Sequence, residues 1–362
     1  MPAFVRCPEC ARRFRLSSSS AATAMRCPFC DAPVDPRADA IREDEDDAPR
    51  SSRRRKRSPR RSNATKIVVG VLIGCGALVV LCGGGIGVAV WWLLKPTSFP
   101  EQTEEYAQAR KSFRTKLVRQ GPAPQSWRRE QPPLGVREVG YTSGGLGLKA
   151  WVSEAPPEGG KRPAVLFLHG GFAFGADDWE QAQPFRDAGF VTMTPTLRGE
   201  NGLPGSYSMF YDEVEDVLAA AETLAQLPYV DSNRLYVAGH SVGGTLTLLA
   251  ALTSKRFRAA ASFSGSPDQV SWARGQPKLV PFDPADKREF QMRSPLAFAR
   301  SFQCPVRLYY GDQELFFASS SQKTAQQAKA AGLDVEAVSV PGDHFRSVEP
   351  AMRQSIIFFQ QK

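Results

Sequence analysis

Between Ile67 and Leu94 the chain runs for 28 residues without a charge, rich in Val, Leu, Gly and Ile and closed by Trp91 and Trp92. At 1.5 Å per residue this run measures roughly 42 Å, enough to cross an apolar layer of about 30 Å with tilt or frayed ends. A core helix would be amphipathic, and the apolar stretch of a cleaved leader is much shorter. The run therefore reads as a single transmembrane helix over residues 66–95. It divides the chain into a short front part and a large rear part.

Charge sets the orientation of that helix. Nine Lys or Arg lie between Arg50 and Lys66 with no acid among them, matching the whole formal excess of +9, so the rest of the protein is near neutral. Beyond the apolar run, Lys95 is followed by Glu101, Glu104 and Glu105. A basic flank stays in the cytoplasm, so the front part is expected there and the rear part outside the membrane. Juxtamembrane charge explains the basic run, and aromatic residues that would stack on bases are sparse, so a nucleic-acid partner is not expected.

The front part holds two CxxC pairs, Cys7 with Cys10 and Cys27 with Cys30, sixteen residues apart. Four thiolates on two turns suit one tetrahedral structural zinc ion with no open coordination position. About 35 residues cannot build a core, so the metal would supply the folding energy of residues 1–35. This piece resembles the small zinc-ribbon modules that begin many bacterial proteins. Residues 36–65 pass from an acidic patch, Glu43 to Asp47, into the basic run with almost nothing apolar, and read as a disordered linker. Residues 96–135 mix a charged helical pattern with Gly121, Pro122, Pro124, Pro132 and Pro133, and read as stalk and linker.

From Arg137 onward short apolar runs alternate with longer helical patterns, the signature of a mostly parallel sheet covered by helices. Strands are expected over 164–168, 190–194, 235–238, 259–264, 306–310 and 335–340, with helices over 209–226 and 241–251 among others. Ligands of such sheets collect at the carboxyl ends of the strands.

The motif with the most chemical content follows Leu235-Tyr236-Val237-Ala238: Gly239-His240-Ser241-Val242-Gly243, then a helical run. This is GxSxG in strand, turn, helix context, where a sharp turn strains the serine backbone and exposes its hydroxyl. A serine nucleophile needs a base, and the chain has three histidines. His240 adjoins Ser241 and is expected to point away, and His169 ends an earlier strand. His344 remains, in Pro341-Gly342-Asp343-His344-Phe345 after the last expected strand. An orienting acid is expected after the strand at 306–310, where Asp312 and Glu314 are both candidates.

These residues resemble the prolyl oligopeptidase-like and dienelactone-hydrolase-like branch of the α/β-hydrolases over about 225 residues. The resemblance rests on Leu168-His169-Gly170-Gly171, Leu197-Arg198-Gly199, Val230-Asp231 leading into the turn, Ser294-Pro295-Leu296 and the closing Gly-Asp-His. It implies an eight-stranded, mostly parallel sheet over 136–362 with helices on both faces, and a Ser241, His344 and acid triad needing no cofactor. It places the acid at Glu314, where the family usually has Asp, so Asp312 stays as rival. It also implies that the amides of Gly171 and Val242 stabilise an oxyanion. Residues between Ser264 and Ser294, with Trp272 and Phe282, are expected to cover the site or line a pocket. The substrate implied is a small acyl ester or a peptide, with the ester ahead because the large propeller of full prolyl oligopeptidases has no room in the first 136 residues. A non-catalytic extracytoplasmic sensing module is the reading from another class.

Overall fold

The computed structural model describes residues 103–155 and 157–362, together with five short strands within the first 41 residues. It separates into two units, each considered by itself. In the first, β1 (Phe4–Arg6) pairs antiparallel with β2 (Arg13–Arg15) and with β5 (Ala40–Ile41), and β3 (Met25–Arg26) pairs antiparallel with β4 (Pro33–Val34). Cys7 and Cys10 fall in the sequence between β1 and β2, and Cys27 and Cys30 between β3 and β4. Of the disordered linker expected over 36–65, Ala40–Ile41 instead pairs as β5; its other residues, the four cysteines and the apolar run at 67–94 lie outside the described residues. Among the described residues no helix is long and apolar enough to cross a membrane.

The second unit is built on eight strands in the order β13-β12-β11-β10-β8-β9-β7-β6. The expected parallel strands are β8 (Arg162–Leu168), β9 (Val191–Thr196), β10 (Val230–His240), β11 (Ala259–Phe263), β12 (Val306–Gly311) and β13 (Val335–Val340). An antiparallel hairpin, β6 (Val136–Ser143) and β7 (Leu146–Ser153), adds the far edge, with β7 antiparallel to β9. The central strands are apolar on both faces because both are covered. Along β8, Ala164, Leu166 and Leu168 enter one core while Val165 and Phe167 enter the other. The period of two in a strand sends successive side chains to opposite sides.

The first core is closed by α1 (Tyr106–Ser112), α4 (Glu213–Ala225), α5 (Val242–Thr253) and α8 (Leu315–Ala330). The second is closed by α3 (Gln183–Asp187), which follows α2 (Ala176–Gln181), and by α9 (Val348–Gln360), where Phe359 stacks on Tyr236 at 4.6 Å. Helix α4 begins later than the 209 expected from its pattern. Met209 and Phe210 have positive φ, and Glu213 draws the chain round by accepting from the Ser208 amide and hydroxyl. That left-handed corner is paid in backbone strain, which the buried carboxylate offsets.

The stalk expected over 96–135 is corrected in its described part, which packs on the catalytic unit. Tyr106, Ala109 and Arg110 form one buried stripe of α1. The Tyr106 hydroxyl donates to Met292 O at 2.7 Å, and Arg110 lies over the Tyr211 ring and bonds Glu215 at 2.9 Å. Farther on, Leu117 bridges Phe282, and Ala123 N donates to Gly199 O. Charge density and prolines masked this stripe, because its partners stand a hundred or more residues away. Arg293 ties the pieces together: fully buried, it reaches Glu289, Ser208 O and Thr115 while lying over Phe282. Removing one partner of such a buried pair costs about 3–5 kcal/mol.

Candidate active site

The turn after β10 is built by backbone crowding. Ser241 has φ 55 and ψ −111, a conformation side chains rarely adopt, and its amide donates to Phe263 O at 2.8 Å. Gly243 N donates to His169 O, and a Cβ on Gly243 would overlap Leu168 O, while one on Gly239 would overlap Gly243. Glycines are therefore required on both sides of the serine by contact as well as by torsion. The strained turn leaves the Ser241 hydroxyl outside the helix that starts at Val242.

The structure brings Ser241, His344 and Glu314 together from three loops. His344 Nε2 lies 3.0 Å from Ser241 Oγ, and His344 Nδ1 lies 2.6 Å from Glu314 Oε1. Glu314 is buried, and its Oε2 accepts from Gly311 N at 2.7 Å and from Ser264 Oγ at 2.5 Å. Burial alone would raise this carboxyl, but donation from His344, Ser264 and Gly311 holds it below its ordinary range. The rival acid, Asp312, is exposed and spends Oδ1 on Gly342 N at 3.0 Å, fixing the His344 loop from outside. The His344 ring also stacks on Phe317 at 5.2 Å.

The other two histidines are structural partners of these loops. His240 does not point into solvent. Its Nε2 lies 2.9 Å from His344 O and its ring 4.8 Å from that of His344. Burial, with the His344 ring adding to it, pushes His240 down to about 4, so it stays neutral and donates to the carbonyl. His169 is buried beside Glu200, Nε2 to Oε2 at 3.0 Å; burial opposes its charge, yet Glu200 lifts it to about 9. The same Glu200 oxygen accepts from Leu197 N, which pins the loop at 169–176 to the 197–202 turn. Sequence reasoning missed His240, Ser264 and Glu200 as supports, since each acts on a residue remote in the chain.

Gly171, on the loop after β8, has φ +70, and neither its amide nor that of Val242 donates to an acceptor among the described residues. Beside them Phe172 meets Tyr207 at 5.1 Å, and Phe210 meets Trp272 at 5.5 Å, giving an aromatic recess that includes Val242. Trp272 packs on Phe172 and Phe210 beside this recess, whereas Phe282 is buried under Arg293 and serves as cover. A larger cleft of about 440 Å³, beside Trp127 and Trp151, contains none of Ser241, His344 or Glu314. No group of three or more His, Cys, Asp or Glu able to hold a metal occurs among the described residues.

A serine hydroxyl, an imidazole and a buried carboxylate meet on this sheet, and the protein is a serine hydrolase with the α/β-hydrolase fold. Comparison with known proteins agrees. Residues 176–349 match the prolyl oligopeptidase family. The chain is 29% identical over 190 residues to the uncharacterized peptidase YtmA of Bacillus subtilis, covering 48% of this chain and 71% of that one. Among solved structures, a puromycin-hydrolyzing peptidase of Mycobacterium tuberculosis aligns with TM-score 0.56 and 26% identity over 66% of this chain and 42% of its own. The Pyrococcus furiosus esterase Pf2001 shares the fold, with TM-score 0.53 and 18% identity over 67% of this chain and 98% of its own. The chain thus spans less than half of the mycobacterial peptidase and nearly all of the esterase.

Proposed function

We propose that the protein is a membrane-anchored serine hydrolase that cleaves a small ester or short peptide bond through Ser241, His344 and Glu314. His344 Nε2 takes the Ser241 proton as Oγ attacks the carbonyl carbon, and Glu314 holds the Nδ1 proton and stabilises the imidazolium. The leaving group departs with the proton carried by His344, an acyl-enzyme remains, and water activated by the same imidazole releases the acid. The amides of Gly171 and Val242 stabilise the oxyanion, each donor being worth about 2.7–4 kcal/mol in such sites. The reading is carried by the unbroken chain of contacts from Ser241 Oγ through the His344 ring to Glu314, at 3.0 and 2.6 Å.

The rings of Phe172, Phe210 and Trp272, packed together beside Val242, favour substrates whose acyl side is apolar and compact. A panel of chromogenic acyl esters and aminoacyl anilides measures this directly. Short and aromatic acyl esters should be turned over with kcat/KM well above that for long charged peptides. A protein active on long peptides and inert toward every ester would overturn the assignment.

The front of the chain is read as a cytoplasmic structural zinc ribbon held by Cys7, Cys10, Cys27 and Cys30, joined to a membrane helix over 66–95 with the hydrolase domain on the outer side. The purified full chain should carry one zinc per molecule, lost on Cys27→Ser substitution, and should sediment with membranes after alkaline washing. Metal-free protein with all four thiols titratable would exclude the ribbon, and release by the wash would exclude the span.

A further inference from the structure

Residues 117–130 precede the segment that matches the family, and two of their side chains bond to the loop that bears Gly171. Gln125 Oε1 accepts from Phe172 N at 2.8 Å, and Glu130 Oε2 accepts from Ala176 N at 2.5 Å. The strap is itself anchored: Ala123 N donates to Gly199 O and Tyr207 N donates to Gly121 O, both at 2.9 Å. Trp127 closes on the neighbouring turn, where a Cβ on Gly202 would stand 2.9 Å from Trp127 Cζ2. At Gly171 a Cβ would stand 2.6 Å from Gln125 Oε1, so the glycine lets the carboxamide reach the loop.

The loop needs such a partner. Gly170 and Gly171 are adjacent, and Gly171 sits at positive φ, where glycine alone rotates freely. The Phe172 amide lies in the peptide plane that follows Gly171. Bonding it removes one of the two rotations that decide where the Gly171 amide points. The side chain of Gln125 is exposed, so its loss forfeits little buried area, while a donor misplaced by about 1 Å can cost about 10²-fold in rate. The positioning effect therefore outweighs any effect on stability.

We propose that Gln125 is a positioning residue for acyl transfer, its carboxamide oxygen fixing the oxyanion loop through the Phe172 amide. This rests on the acyl-transfer reading above and adds to it a part supplied from outside the family-matched segment. The test uses the full chain in detergent, with Gln125→Ala and Gln125→Met, the latter keeping bulk without an acceptor. A short-chain p-nitrophenyl ester gives kcat and KM, and a fluorophosphonate gives the rate and stoichiometry of Ser241 labelling. Both variants should lose roughly 10- to 100-fold in kcat and in labelling rate, with KM within about threefold and Tm within a few degrees of wild type. Labelling should still reach one probe per chain. Unchanged kcat in either variant overturns the proposal, as does a rise in KM at constant kcat or a loss of kcat that tracks a large fall in Tm. Failure of wild type to label sinks the acyl-transfer reading instead, which keeps the two claims apart.

Discussion

Ser241→Ala is expected to lower kcat on a short-chain ester by about 10⁶-fold and to abolish fluorophosphonate labelling, with KM little changed. The alanine leaves the sheet, the His344–Glu314 contact and the aromatic recess in place, since the hydroxyl's partner in the site is His344 Nε2. What disappears is the atom that forms the acyl bond. Water delivered by His344 can replace it only weakly, because no group holds that water at the attack distance. The residual rate, about 10³ to 10⁴ over water, comes from the oxyanion amides and substrate binding. Stability should be close to wild type, because alanine at 241 bears the same unfavourable φ of 55 and the hydroxyl it loses bonds only to His344 Nε2 among the described residues. Turnover within tenfold of wild type, with fresh labelling at another serine, would move the nucleophile elsewhere.

Glu314 and Asp312 are separated by their surroundings, and substitution should separate them by function. Glu314→Ala is expected to cost about 10⁴-fold in kcat, and Asp312→Ala less than about tenfold. Glu314→Gln should be nearly as damaging as alanine despite its shape. Two donors, Gly311 N and Ser264 Oγ, face the oxygen that does not touch His344, so the glutamine must place its carbonyl oxygen there. Its NH2 then meets His344 Nδ1 and forces the proton onto Nε2, the nitrogen that must accept from Ser241. Asp312→Ala loses the bond to Gly342 N and should appear as a modest drop in Tm. The reverse ranking in steady-state kinetics would make Asp312 the triad acid and Glu314 a buried support.

Much of this site could be read from one dimension. A strand, a glycine-flanked serine and a helix in immediate succession specify the turn at Ser241 through local sterics, and with three histidines in the chain elimination reached His344. The acid was different. Asp312 and Glu314 are two residues apart with the same charge, and what divides them is that one side chain turns inward to Ser264, fifty residues earlier, while the other turns out to Gly342.

The same distinction explains the larger misreading. Residues 103–135 look like a solvated tether because their polar and proline-rich pattern offers no core of its own. Their hydrogen bonds and cation–π contact are instead completed by Met292, Tyr211, Phe282 and Gly199. Local rules of torsion, periodicity and metal-ligand spacing act between near neighbours, so strands, elbow and candidate ligands announce themselves in order along the chain. Whether a polar segment stays in water, and which of two like charges is buried, depends on the free energy of contacts closed between residues far apart in the chain, and folding alone brings those partners within reach.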